Sequence, residues 1–264
     1  MHFTSTDGSA VLPADYTFTQ ADNGTHSFSA VFKTAGAQAL STADSASGVT
    51  GTETSITVGP AAASQFSVAA PAAVTAGSAF GVTVTALDPY GNRATGYAGT
   101  VRFTSTDGAA ALPADYIFTP ADGGTHTFTV TLKTAGAQSV TVSDAGNSTL
   151  TGTAGDIAVR AGAARALWIT APAQVTAGVP FSVTVTAVDA FGNVATSYTG
   201  TAHFGDSAGR ATLPANYQFT TGSGGDNGVH TFAGLILRRR VRQTLTVADT
   251  LDGSISGGVT ETPI

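Results

Sequence analysis

The sequence predicts an all-β fold laid out as tandem seven-stranded sandwiches, and three observations carry that prediction. The chain repeats itself: Phe3-Thr4-Ser5-Thr6-Asp7-Gly8 returns as Phe103-Thr104-Ser105-Thr106-Asp107-Gly108, an offset of 100. Apolar residues alternate with small polar ones at the period of two that a half-buried strand requires. Turn clusters rich in Gly, Asp and Asn punctuate these runs roughly every 8–12 residues, and no stretch shows a helical period.

The repeats set the boundaries. Leu12-Pro13-Ala14-Asp15-Tyr16 recurs at 112–116 and again as Leu213-Pro214-Ala215-Asn216-Tyr217. Ala70-Pro71-Ala72-Ala73-Val74-Thr75-Ala76-Gly77 returns as Ala171-Pro172-Ala173-Gln174-Val175-Thr176-Ala177-Gly178. Residues 62–161 therefore form one complete unit, 162–264 a second, divergent one, and 1–61 the back portion of a third. Solenoid repeats run roughly 20–45 residues, so a unit of this length fits a sandwich better.

Within 62–161 the inward positions are Phe80, Val82, Val84 and Ala86, then Val101 and Phe103, then Phe128, Val130 and Leu132, then Val140 and Val142. Asp88-Pro89-Tyr90-Gly91-Asn92, Thr106-Asp107-Gly108, Ala121-Asp122-Gly123-Gly124 and Thr134-Ala135-Gly136 separate them as turns. Seven short strands in such a span is the pattern of an immunoglobulin-like sandwich. Residues 1–61 begin in what would be its third strand. The absent second strand is normally interior to a sheet, so core and a hydrogen-bonding edge are expected to be exposed. Pairing with a second chain as a homodimer, or packing on the next repeat, would cover them; otherwise the segment is a frayed start.

The segment Val-Thr-Val-Thr-Ala-x-Asp-x-x-Gly-Asn, at 82–92 and again at 183–193, resembles the bacterial immunoglobulin-like tandem repeats of invasin- and intimin-type surface proteins. The resemblance covers nearly the whole chain. It implies a fragment of a bacterial cell-surface or secreted adhesin-like scaffold, extracellular, whose partner is a surface ligand or a polysaccharide. In that family most repeats are spacers.

Composition narrows the functions further. Charged residues make up 11% of the 264, against roughly 25% in ordinary soluble domains. With 17 acidic and 11 basic side chains the formal charge is −6, which disfavours nucleic acid or an anionic membrane as partner and suits cations. Cysteine is absent, which removes disulfides, thiolate metal sites and thiol nucleophiles. No run of 18 apolar residues exists, so no membrane insertion by a helix is expected. Met1-His2-Phe3-Thr4-Ser5-Thr6-Asp7 has neither the basic start nor the apolar core of a signal peptide.

Two chemistries compete for the polar residues. Asp88, Asn92, Asp122, Asp144, Asp189 and Asn193 fall in loops that a seven-strand sandwich gathers at one end, with Asn147 and the linker Gly59-Pro60-Ala61-Ala62-Ala63. Such oxygens are the ligands calcium takes, and an ion there would stiffen the junction. The plainer reading has each Asp accept backbone N–H groups while Gly supplies a positive φ. No stretch has the ligand density of an EF-hand loop.

The second chemistry is ester or lactone hydrolysis. Gly205-Asp206-Ser207-Ala208-Gly209 matches Gly-x-Ser-x-Gly, with Ser207 as nucleophile, His203 or His230 as base, and Asp206 or Asp226 as orienting acid; bound calcium polarising the carbonyl is a second route. The motif needs a strand–turn–helix, yet Arg210-Ala211-Thr212-Leu213-Pro214 reads as a loop.

Three further features stand out. His26, His126 and His230 recur at equivalent positions, which fits a structural task at a turn; zinc would need three or four converging ligands. Arg238, Arg239, Arg240 and Arg242 replace Lys133-Thr134-Ala135-Gly136-Ala137, as a solvated loop or a dock for an acidic polysaccharide. Trp168, the single tryptophan, is expected in the core or between repeats.

Overall fold

The structure, a computed structural model, describes residues 1–264. The first repeat contributes β1 (His2–Ser5), β2 (Gly36–Ala43) and β3 (Thr50–Val58), a single sheet in the order β1-β2-β3. The middle repeat contributes β4 (Gln65–Ala69), β5 (Ala73–Thr75), β6 (Ala79–Leu87), β7 (Thr100–Ser105), β8 (Tyr116–Ile117), β9 (Thr125–Thr131), β10 (Gly136–Asp144) and β11 (Thr151–Arg160). Its sheets are β4-β6-β9 and β5-β11-β10-β7-β8. The first strand is split, β4 lying in one sheet and β5 pairing parallel with β11 in the other.

The third repeat has β12 (Ala166–Thr170), β13 (Phe181–Val188), β14 (Thr201–Asp206), β15 (Tyr217–Gln218), β16 (Val229–Leu235), β17 (Gln243–Asp249) and β18 (Ser256–Glu261). They form β12-β13-β16 and β15-β14-β17-β18. Helix is confined to two 3₁₀ turns, Gln20–Asp22 and Pro120–Asp122.

Period-two patterning becomes period-two burial. On β6, Val82, Val84 and Ala86 are fully buried, while Thr83 and Thr85 face outward and pair with Thr127 and Thr125 on β9 at 2.9 Å. Thr141–Thr153 and Thr184–Thr231 repeat the device. Hydroxyl pairs across strands thus do on the outer faces what charged pairs do in ordinary sheets, consistent with the low charge content. Glycine makes the sandwiches close: a Cβ on Gly152 would strike the Phe66 carbonyl, and one on Gly257 the Leu167 carbonyl, so the first strand can lie hard against the last.

The buried apolar residues form two clusters, one around Val82, Phe118, Leu132 and Ile157 and one around Leu167, Phe219, Leu235 and Leu245. The first repeat has none. Phe18, equivalent to the buried Phe118, is 40% exposed, and Phe28 is half-buried where Phe128 is buried. Residues 25–31, equivalent to β9, form no strand because the partner that β6 supplies in the middle repeat is missing. Thr42 stands where Val142 stands in the middle core, and its Oγ1 is buried without a partner. Trp168 departs from expectation: it is 55% exposed on the outer face, its ring lying over Gly192, because at its position the alternation points outward.

An unpaired edge exchanges its amides freely. The expected outcome is that residues 25–31 exchange far faster than 125–131 or 229–235 when followed by hydrogen-exchange mass spectrometry. Equal protection would mean that the edge is covered in solution.

Candidate functional site

The residues singled out in the Asp-x-x-Gly-Asn turns assemble into a clamp between repeats. Asp189 is 4% exposed. Its Oδ1 accepts the N–H groups of Phe191 (2.8 Å) and Asn193 (3.0 Å). Its Oδ2 accepts the N–H of Gly162 in the linker (2.9 Å) and the Asn193 side-chain amide (2.8 Å). That fixes the Asn193 amide plane. The amide then reaches the middle repeat: Nδ2 donates to the Lys133 carbonyl at 2.7 Å, and Oδ1 accepts the Ala135 N–H at 2.8 Å.

The other junction has the same parts. Asp88, wholly buried, accepts from Tyr90, Asn92 and the linker's Ala61. Asn92 donates to the Lys33 carbonyl at 2.7 Å and accepts the Ala35 N–H at 2.9 Å.

The surface that the asparagine reads is itself held by a second buried aspartate. Asp107 Oδ2 accepts the N–H groups of Lys133 and Thr134, and Oδ1 accepts the Thr134 hydroxyl at 2.7 Å. Asp7 does the same for Lys33 and Thr34. The linkage therefore runs from Asp107 through loop 133–135 to Asn193, Asp189 and the linker. An apolar contact supports it: the Phe191 ring lies over Gly77, where a Cβ would collide with it. At the other junction Lys33 Nζ sits 5.8 Å from the centre of the Tyr90 ring.

These bonds hold the aspartates as anions. For Asp88 and Asp189 burial raises the pKa, but the asparagine amide, the linker N–H and the turn N–H groups outweigh it, and the net shift is downward. Asp107 is likewise lowered against its burial by Thr134 and Lys133.

The other candidates serve their own repeats. Asp122 accepts from the Thr119 N–H and hydroxyl, the Tyr116 hydroxyl and His126 Nδ1 at 2.8 Å. Tyr16, Asp22 and His26 form the same group, as do Tyr217, Asp226 and His230. In each the imidazole stacks on the tyrosine, with centroids 3.8–4.3 Å apart. Burial raises the Asp226 pKa, but bonds from His230, Thr220 and Tyr217 bring it down to about 2. Asp144 accepts the Tyr97 hydroxyl at 2.5 Å and two turn N–H groups; burial, then the carboxylate, push that tyrosine's pKa upward.

Asp144 and Asn147 do line a groove with Pro60, Ala61 and Ala63 of the linker, so the loops gather at one end as expected. The carboxylates within that end stay apart: nowhere do three acidic or histidine side chains converge as metal ligands. The six residues named for calcium are spread over turn, clamp and tyrosine contacts.

The serine triad does not assemble. Ser207 Oγ accepts the Thr244 N–H at 2.9 Å, the same bond that Thr106 Oγ1 accepts from Ser139; a β-branched residue doing the same work elsewhere marks it as structural. No helix follows it. His230 lies at the opposite end of β16 from Ile236, which shares the Ser207 end, about 20 Å at roughly 3.3 Å per residue. His203, four residues away along β14, pairs instead with Asn216 at 2.8 Å. Asp206 turns inward to the N–H groups of Ala208, Arg210 and Ala211.

Sequence reasoning passed over Asp7, Asp107 and the loops they hold, reading both as plain turns. The signal was present: Phe-Thr-Ser-Thr-Asp-Gly and Lys-Thr-Ala-Gly-Ala-Gln recur unchanged in the first two repeats and are altered together in the third.

Asn193→Ala leaves the Lys133 carbonyl, the Ala135 N–H and one Asp189 oxygen short of a partner, at about 1–3 kcal/mol for such groups. Gly77→Ala pushes Phe191 off its seat. Calorimetry is expected to show both variants splitting a coupled unfolding of the second and third repeats into separate transitions. Acid acts on the same bonds. Because the clamp aspartates are lowered in the folded state, their stabilisation is whole above the unfolded value of about 3.9 and is lost as pH falls below it. Thermal scans at stepped pH are expected to be flat above about pH 5 and to drop below about pH 4.

No protein-family model and no curated protein matches the chain. Solved structures do. The Escherichia coli adhesin FdeC is 20% identical over 88% of this chain and 75% of its own, with a TM-score of 0.42. The Yersinia pseudotuberculosis adhesin InvE is 24% identical over 75% of this chain and 58% of its own, at 0.35. Invasin, a bacterial integrin-binding protein, is 18% identical over 99% of this chain, which spans about half of invasin (52%), at 0.40. At these identities the likeness is one of fold.

Proposed function

We propose that the chain is a stiff spacer of a bacterial surface or secreted adhesin-like protein, holding a recognition element at a distance. The observation that carries this reading is the two-bond asparagine clamp present at both junctions. Tandem domains joined by short linkers otherwise move relative to one another; here linker, turn and neighbouring loop share one buried carboxylate. Hydrolysis of esters or lactones, by Ser207 or through calcium, has no assembled set of groups behind it. The open face of the first repeat is where a second chain would pair, with Phe18 and residues 25–31 as its contact.

Small-angle scattering with light scattering tests both points. A single extended profile is expected for residues 62–264, unchanged by a chelator. A bent or averaged ensemble would sink the spacer, and straightening on addition of calcium would return the junction to the ion. A doubled mass for 1–264 beside a single mass for 62–264 is the expected signature of pairing through the first repeat.

A further inference from the structure

The far end of the third repeat is built differently from the ends that seat a following repeat. Gly178 N–H donates to the Leu237 carbonyl as Gly77 N–H does to Leu132, and Gln243 Nε2 donates to the Arg239 carbonyl as Gln138 Nε2 does to Thr134. Arg238, Arg239, Arg240, Val241 and Arg242 thus occupy the places of Lys133, Thr134, Ala135, Gly136 and Ala137. Three changes dismantle the seat. Ala208 stands where Asp107 stands, so the loop's N–H groups lose their carboxylate. Arg239 replaces the threonine whose hydroxyl completed that contact. Val241 replaces Gly136, whose φ of 124° a branched side chain does not adopt. The sheet shortens accordingly: β10 pairs with β11 from Gly136 onward, but β17 pairs with β18 only from Gln243.

In place of the seat stands positive charge. Arg210, Arg238, Arg239, Arg240 and Arg242 are exposed and make up five of the chain's 11 basic residues. None forms an ion pair; the chain's one arginine–carboxylate bridge is Arg102–Asp115. Asp189, Asp226, Asp249 and Asp252 lie at the opposite end of this repeat. Of the two acids at the arginine end, Asp206 is turned into its own loop and Glu261 faces Gln243 across the strand pair. A chain of net charge −6 therefore carries a local field of opposite sign on one tip, where guanidinium forks can take carboxylates two bonds at a time.

We propose that this tip binds an anionic polysaccharide through its carboxylate groups. The tip carries no exposed aromatic ring on which a nucleobase would stack, which favours a polyanion without bases over a nucleic acid. The proposal rests on the spacer reading in treating the tip as a recognition surface carried by a stiff array. The two fail separately, since scattering reports stiffness and titration reports the tip.

The test is calorimetric titration of the 264-residue protein with polygalacturonate at low and high salt. Saturable binding is expected, weakening about tenfold or more as salt rises, abolished in R238Q/R239Q/R240Q/R242Q and unchanged in K133Q. Melting curves check the fold of the variant; should it not fold, R238Q/R240Q and R239Q/R242Q are each expected to weaken binding. Unchanged affinity in the variants, equal binding of neutral dextran, or tighter binding of duplex DNA would overturn the proposal.

Discussion

A carboxylate taken out of water at the turn after the second strand is the constraint on which the rest of the array depends. Asp88 and Asp189 are buried and paired with no lysine, arginine or histidine side chain, and an ionised group so placed draws its stabilisation within the chain from hydrogen bonds. Only a complete set of donors meets that demand, and the donors come from three parts of the chain: the turn itself, the linker and the asparagine four residues on. Satisfying one aspartate therefore fixes the path of the linker and the plane of the asparagine amide. The asparagine then has one donor and one acceptor left, facing the preceding repeat. Inter-repeat geometry follows from the desolvation of one side chain.

The same economy explains the acidic composition. Nine aspartates accept the N–H two residues ahead, among them Asp7, Asp44, Asp107, Asp144 and Asp249, a reach that suits the short Asp side chain and not Glu. Much of the negative charge thus lies on side chains that build turns. Strand faces stay wet through threonine pairs, which leaves the arginines of the third repeat as the one concentrated charge on the surface.

Much of this was legible in the sequence, because repetition is visible without coordinates and period two declares the strands. The Asp-x-x-Gly-Asn turn was legible as a turn. Its outward half was not: nothing in the order of residues says that Asn193 bonds to Lys133, some 60 positions earlier. The six residues grouped for calcium show a related limit. Topology placed Asp88, Asp122 and Asp144 at one end, but which way each carboxylate turns is decided by the nearest N–H and O–H donors. Trp168 shows the limit in its simplest form: its size and apolarity point to the core or to a junction between repeats, and the strand's alternation sends it to the outer face.

The three repeats also show which parts of a sandwich form independently of one another. The first keeps Asp7, the loop 33–35 and the tyrosine–aspartate–histidine group, all of them held by local hydrogen bonds, although it lacks a core. The third keeps a full core and discards the seat. Core and seat are thus separable: one is made by apolar burial between sheets, the other by an aspartate and a loop on the end of one sheet. Residues 1–61 present a seat without a core of their own, and the third repeat has a core without a seat, alanine standing in the place of the aspartate and arginines in the loop it held.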